Sequence, residues 1–304
     1  MLGIRFLWGD GVWHGDRVRY DSECFETYWE RAIGWFPQGG YCAVLSKQID
    51  RVYTNFKTQQ REWVMDRGER LLRWFEKSIA RHSRVGDATF FDPDQFSWIA
   101  DIEANWQTIR GELDKVLQHT DELPNFQDIS TDQYNISKDD RWKTYFFYAY
   151  GVKAGPNCDR CPETTRLIEG IPGMKTAFFS ILLPNKHIPE HRGPYKGVLR
   201  YHLGLMVPEP KEKCRIRVDK DIRHWEEGKS LVFDDSFYHE AWNETDGVRV
   251  ILFLDFVRPL PFPLAAINHT FLKLIAWSPF VQDAKKNQQQ WDKRLEKLMN
   301  RKSS

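Results

Sequence analysis

Apolar and polar positions follow two different periods along this chain, and the change falls near Met174. In Arg51–Arg84 apolar residues stand at Val52, Phe56, Trp63, Leu71, Trp74, Phe75 and Ile79. That is roughly helical spacing, with an arginine-rich opposite face expected to meet solvent or, as the lesser reading, an anionic substrate. A better-marked helix follows in "FFDPDQFSWIADIEANWQTIRGELDKVLQ". Asp92 is placed to cap it, Pro93 takes the first helical position and Gln95 completes a capping box. Phe96, Ile99, Ile102, Trp106, Ile109, Leu113 and Val116 then form one apolar face. From Met174 the runs become short, and turn signals separate them: "MKTAFFSILLP", "GVLRYHLGLMVP", "KCRIRV", "KSLVFDDSF" and "VRVILFLDFVRP". Their Val, Ile, Leu and Phe content predicts an all-β unit, a sandwich or jelly roll. Helical character returns in Phe262–Val281, interrupted by Asn268, His269 and Lys273 and stopped at Pro279. This stretch reads as an amphipathic helix packed on the protein, with a helix lying on a membrane surface as the alternative. The tail from Ala284 is polar and helix-prone.

Composition narrows the function. The 304 residues carry 44 Lys and Arg against 43 Asp and Glu, a net charge of +1. A nucleic-acid binder needs a basic excess to neutralise phosphates, so that class is not expected. No run of ~20 apolar residues occurs and the N-terminus lacks a signal-peptide pattern, so a cytoplasmic protein, at most peripheral on a membrane, is expected. Cys24, Cys42, Cys158, Cys161 and Cys214 make an odd count without a framework, as in a reducing compartment. "CDRC" at Cys158–Cys161 has no matching second pair, so chance spacing is favoured over half a zinc site or a redox pair.

The candidate chemistry lies in the β unit. Strand alternation in "GVLRYHLGLMVP" puts Leu199, Tyr201, Leu203, Leu205 and Val207 on one face. Arg200, His202, Gly204 and Met206 fall on the other, with Gly204 leaving room beside the two polar side chains. A cation and an imidazole on an inward face require an anion or a metal. "LVFDDSFYHEAWN" runs from an apolar strand into a turn that presents His239. Arg249 opens an apolar strand and shares its face with Ile251 and Phe253. A carboxylate ligand would satisfy its fork. Upstream, His191 opens "HRGPYKGVLRYHLGL", and Gly193 stands where an iron facial triad would place its carboxylate. Asp234 and Asp235, at a strand-to-turn corner, read as backbone caps rather than as a substitute ligand.

The order "S…HIPEHRGP…LRYHLGL…C…W.EGK…FDDSFYHEAWN…RVILFLDFVRP", across about Asp140–Pro259, resembles the aspartyl/asparaginyl β-hydroxylase family of iron(II)/2-oxoglutarate oxygenases. The flanks "FFDPDQFSWIADIEANWQTIR", "DQYN", "RWKTYFFYAYG" and "CPETTRLIEGIP" look more like the branch containing the lipid A 2-hydroxylases. The resemblance implies a mainly β catalytic core, a double-stranded β-helix or cupin-like jelly roll, with an α-helical N-terminal region and C-terminal helices. The expected division is 1–125 helical, 126–260 oxygenase and 261–304 helical extension. It also implies that His191 and His239 bind Fe(II) and are the catalytic residues. Arg249 and Ser180 would grip the distal carboxylate of 2-oxoglutarate, Arg200 and His202 would face its other carboxylate, and Trp142 would line the same pocket. Imidazole with open coordination positions suits iron and O2. The implied reaction is hydroxylation of an unactivated C–H, with 2-oxoglutarate decarboxylated to succinate. The flanks favour an acyl chain or amino-acid-derived lipid as substrate. Gly193, shared with protein-hydroxylating members, favours an Asp or Asn side chain in a protein or peptide. A non-catalytic cupin-like binding module is the competing class, and the retained site residues argue against it.

Overall fold

The computed structural model of the chain describes residues 73–130, 136–277 and 279–302. Cys24, Cys42, most of the Arg51–Arg84 segment and the "DQYN" motif lie outside the described residues. Among the described residues the first helix, α1, covers 73–82. Its Phe75 and Ile79 are buried as expected, whereas Trp74 is 66% exposed and belongs to the opposite side.

The next apolar stripe forms three short pieces instead of one helix. A 3-10 turn over Pro93–Gln95 is capped by Asp92, whose carboxylate accepts from the Asp94 N–H at 3.0 Å. Helices α2 (Ile99–Ala104) and α3 (Trp106–Leu117) follow. The break between them is at Asn105, whose side-chain amide donates to the Asp101 carbonyl at 2.8 Å and competes with the helical ladder. The expected face survives the break: Phe96, Ile99, Ile102, Ile109, Leu113 and Val116 are all buried. Three further short helices are α4 (Phe126–Ile129), α5 (Gly155–Arg160) and α6 (Pro162–Glu169). Glu112 of α3 is buried and accepts from the Glu163 and Thr164 N–H groups at 2.9 and 2.8 Å, tying α3 to the first turn of α6.

Among the described residues eleven strands follow: β1 (Phe90–Phe91), β2 (Trp142–Ala149), β3 (Val152–Lys153), β4 (Met174–Leu182), β5 (Lys186–His191), β6 (Val198–Met206), β7 (Cys214–Val218), β8 (Asp221–His224), β9 (Ser230–Phe233), β10 (His239–Asn243) and β11 (Arg249–Val257). They pair antiparallel in two sheets, β1-β9-β6-β11-β4-β2-β3 and β5-β10-β7-β8. From β4 onward the chain changes sheet at nearly every step, and each sheet gathers non-consecutive strands. That winding is a double-stranded β-helix, so the fold is the mainly β, cupin-like jelly roll anticipated from the sequence.

Strand alternation separates two cores. Leu199, Tyr201, Leu203 and Leu205 of β6 point outward, where they pack with Phe96, Ile99, Ile102 and Ile109 under the helices. The opposite face of the same sheet turns toward the four-stranded sheet, where Trp142, Phe178, Trp225, Phe233 and Phe253 fill the interior. The alternation fails at the end of β6, where the register with β11 shifts between Val250 and Ile251. Beyond that bulge Met206 joins the outer core and Val207 the inner one, the reverse of a regular strand. Gly204 also has a different purpose from the expected one. A Cβ there would overlap the Glu226 carbonyl, so the glycine admits the 226–228 backbone, not the neighbouring side chains.

Two C-terminal helices complete the unit, α7 (Leu264–Ala276) and α8 (Pro279–Lys302). Among the described residues no helix is long and apolar enough to cross a membrane.

Candidate active site

A small cavity opens between the sheets. It is lined by all seven residues singled out in the sequence: Trp142, Ser180, His191, Arg200, His202, His239 and Arg249. They come from six strands. β2 supplies Trp142, β4 Ser180, β6 Arg200 and His202, and β11 Arg249. His191 ends β5 and His239 begins β10, where the two face each other in register, their rings 4.2 Å apart between centroids.

Hydrogen bonding divides the three histidines into two kinds. His191 Nδ1 lies 2.8 Å from the Pro189 carbonyl, and His239 Nδ1 lies 2.9 Å from the Phe237 carbonyl. A carbonyl only accepts, so Nδ1 carries the proton in both rings and Nε2 carries a lone pair. Burial lowers both pKa values, which holds the rings neutral. His239 Nε2 is buried with no hydrogen-bond partner. His202 is the reverse case. Its Nδ1 accepts from the Trp225 indole N–H at 3.3 Å, so its neutral ring has its proton on Nε2. That Nε2 is also buried without a partner. His202 is pushed well below the usual histidine range, first by burial and then by the charges of Arg249 and Arg200. The cavity therefore presents two lone pairs suited to a metal and one N–H suited to an anion.

Arg249 is the most costly group in the site. Its side chain is 1% exposed, and among the described residues no carboxylate pairs with it. Its Nη1 makes one long hydrogen bond, 3.4 Å, to the Ser180 carbonyl, and its Nε has no partner. The guanidinium lies over the Trp225 ring at 4.4 Å. Burial pushes its pKa down to about 10, which still leaves it charged at neutral pH. A buried unpaired cation costs several kcal/mol by order of magnitude unless an anion meets it. Ser180 Oγ, held at 3.0 Å by the Trp142 indole N–H, stands beside it as a further polar group.

Arg200 differs. It is bound by Asp235 at 2.8 Å and Asp255 at 2.9 Å and covers the Phe253 ring. Asp234 is a turn cap, as expected, accepting from the Ser236 N–H at 3.0 Å while pairing with Lys196 and Arg258. Asp235 is not a cap. It is buried, one oxygen bonds Arg200 and the other has no partner. Burial raises its pKa to about 6. Its carboxylate fills the space a side chain at Gly193 would need. Among the described residues no group of three or more His, Cys, Asp or Glu is arranged as a metal site. Two neutral imidazoles with one unpartnered Nε2, beside an unpaired cation, nevertheless fit a ferrous ion whose other ligands come from an anionic cosubstrate and water.

The Aspartyl/Asparaginyl beta-hydroxylase family model matches residues 103–259, which span every residue of this cavity. An ornithine lipid ester-linked acyl 2-hydroxylase from Rhizobium tropici is 48% identical over 225 residues, 74% of this chain and 80% of that protein. The chain belongs to the aspartyl/asparaginyl beta-hydroxylase family. The human aspartyl/asparaginyl beta-hydroxylase is 33% identical over 53% of this chain, and the match spans 21% of that protein's length. A cupin domain of an XRE family transcriptional regulator from Enterobacter cloacae aligns over 38% of this chain and 96% of that one, at 13% identity and a TM-score of 0.27. Relatives of this aspartyl/asparaginyl beta-hydroxylase family member are hydroxylases of lipid acyl chains or of Asp and Asn residues, by their names. Two features of the site were not read from the sequence. Trp225, fully buried, both supports Arg249 and orients His202. A lone tryptophan in the polar stretch "DIRHWEEGK" was the available signal. Asp235 was visible, but only the fold brings it to Gly193 and Arg200.

Proposed function

We propose that this family member is an iron(II)- and 2-oxoglutarate-dependent hydroxylase acting on an acyl chain of an amino-acid-derived lipid. One observation carries the reading. A guanidinium buried without a carboxylate shares a cavity with two neutral imidazoles that present lone pairs. In this scheme His191 and His239 hold the metal through Nε2. Bound iron with O2 and 2-oxoglutarate supplies the oxidation of a C–H bond to C–OH, with succinate and carbon dioxide as coproducts.

The chain's own residues bind, orient and exclude. Arg249 takes one carboxylate of 2-oxoglutarate, and Ser180 Oγ, steadied by Trp142, completes that grip. His202 donates from Nε2 toward the same anion because Trp225 fixes its tautomer. Arg200 already holds two carboxylates, so its part is to position Asp235 and to add positive potential at the rim. Ile188, Ile216, Ala241 and Ile251 line the rest and keep water away from the reacting carbon.

Substrate class follows from two considerations. The relative that matches this chain over 80% of its own length is named for the ester-linked acyl chain of ornithine lipid. The contrary signal, Gly193, has a local cause. The Asp235 carboxylate occupies its side-chain space, whatever the substrate. Anaerobic reconstitution with Fe(II) and 2-oxoglutarate should give a weak visible charge-transfer band, absent from a binding module without metal. Admitting O2 with ornithine lipid should then yield succinate and a lipid heavier by one oxygen. Oxygen gained by an Asp- or Asn-containing peptide instead would favour the protein-hydroxylating alternative. No succinate with either would reject the oxygenase reading.

A further inference from the structure

Helix α7 has two unlike faces. Phe271, Leu272 and Ile275, with Leu264 and Ala265, pack on Phe75, Ile79, Tyr195 and Leu260 in a small core of their own. The Phe271 ring lies 4.6 Å from Tyr195 and 6.2 Å from Phe75. The other face carries exposed apolar side chains. Ile267 is 49% exposed and Leu274 57%, flanked by Phe262 at 85% before the helix and Trp277 at 76% after it. Ile267, Thr270, Leu274 and Trp277 recur at helical spacing, so they form one stripe. Exposed His269 and Lys273 fall beside that stripe, away from the packed face. Solvent should penalise such a concentration of large apolar side chains unless something covers it.

The surrounding charge says what would cover it. No carboxylate occurs from residue 256 to residue 282. The helix packed against α7 lies in a segment with Arg73, Lys77, Arg81 and Arg84 against the single Glu76. Apolar side chains with tryptophan at the boundary, beside Lys273 and with no carboxylate in the same stretch, match the chemistry of an anionic lipid headgroup layer over hydrocarbon. A short structural path joins this face to the cavity. From His191 the chain passes Gly193 against Asp235, then Tyr195 under Phe271. Buried Asn268 of α7 clips that loop, accepting from the Tyr195 hydroxyl at 2.7 Å and donating to the Gly197 carbonyl at 2.9 Å.

We propose that the Ile267–Leu274 stripe of α7, with Phe262 and Trp277, is a docking surface for an anionic lipid bilayer, from which the acyl substrate reaches the cavity. The second half of that statement rests on the acyl-chain reading above. The docking face itself does not. The test uses the full chain and sedimentation with vesicles of equal parts phosphatidylcholine and phosphatidylglycerol, with and without ornithine lipid. The parent protein should sediment with them. The double variant Leu274→Gln and Trp277→Ser removes exposed side chains with no role in the core, so it should fold normally and lose partitioning by about tenfold or more. On vesicle-borne ornithine lipid it should lose turnover in proportion, while detergent-dispersed lipid is oxidised at the parental rate. A parent that stays in the supernatant overturns the proposal, as it would if the face were covered by other residues of the chain. Undiminished partitioning of the variant also overturns it, as does a variant that changes only the oligomeric state on a sizing column. Should the parent bind vesicles yet oxidise no lipid in any form, the acyl-chain reading fails and the docking face stands.

Discussion

Arg249 sits in its position at a cost that a bound anion would offset. It is fully buried, with an unpartnered Nε and an aromatic ring as its principal neighbour. Replacement by a residue of similar length and no charge should therefore separate two properties. Arg249→Met should raise the thermal midpoint of the ligand-free protein, since buried ion groups replaced by packed hydrocarbon often gain stability. The same variant should bind 2-oxoglutarate at least about tenfold more weakly, a charge-assisted bond being worth about 1.5–3 kcal/mol. Thermal melts with and without 2-oxoglutarate read both at once, and an unchanged ligand shift would remove Arg249 from the cosubstrate pocket. The histidines give a companion case. His239→Ala should abolish Fe(II) binding and succinate formation together while circular dichroism shows an intact fold. Retained iron would reject His239 as a ligand. At this scale the sequence was informative about placement, because strand alternation alone put Arg200 and His202 on one face. It was silent about tautomers, which depend on carbonyls and an indole brought in by other strands.

Element by element, legibility tracked how many faces a strand buries. β4, β6 and β11 lie in the middle of the large sheet and are largely buried on both faces, so their mostly apolar runs stood out. β7 and β9 were also found. The strands missed were β1, β2, β3, β5, β8 and β10. β5, β7 and β10 bury one face and present an ion-pair ladder on the other, with Arg217 bridging Glu190 and Glu240 and Arg215 holding Glu244 at 2.7 Å. "KHIPEH" and "HEAWN" therefore look like turns although they carry the paired histidines. Loops are set just as tightly as strands here. The 225–228 segment is held against β6, with Gly228 N–H donating to the Gly204 carbonyl at 2.8 Å. Gly204→Ala would drive a methyl group into the Glu226 carbonyl, and backbone has no rotamer by which to retreat. The expected cost is about 1–3 kcal/mol of stability, typical of overpacking. Because Trp225 is the preceding residue and supports both Arg249 and His202, 2-oxoglutarate binding should weaken in the same variant. Calorimetric titration checks this, and a normal affinity in a destabilised protein would show that Trp225 is positioned independently of Gly204.

For the molecule as a whole, the parts least legible were those joined by polar contacts. The tail from Ala284 reads as a polar helix, yet it docks through Val281, Ala284, Gln288 and Asp292, a stripe that is half polar and so invisible to hydrophobic periodicity. Asp292 is its innermost charged group. One oxygen accepts from the Asn157 amide at 3.0 Å and from the Gln288 amide at 2.5 Å. The oxygens of both amides are buried without partners. A carboxylate offers no proton to such groups, whereas a carboxylic acid or an amide does. Burial accordingly raises the Asp292 pKa to about 6 from an ordinary 3.8. The folded state then holds a proton that the unfolded chain releases, so folding is favoured at low pH and this contribution fades as pH rises. Below about 4 both states are protonated and nothing is lost. Between about 4 and 6 the penalty develops, and above 6 it is fully in force, on the order of 2–3 kcal/mol for a shift of about two units. Asp292→Asn keeps the accepted hydrogen bonds, adds the missing donor and removes the charge. It should stabilise the fold at pH 8 and do little at pH 4, and denaturant melts at the two values decide the matter. Equal effects at both would mean that Asp292 stays charged in the fold and that the docked helix tolerates its carboxylate.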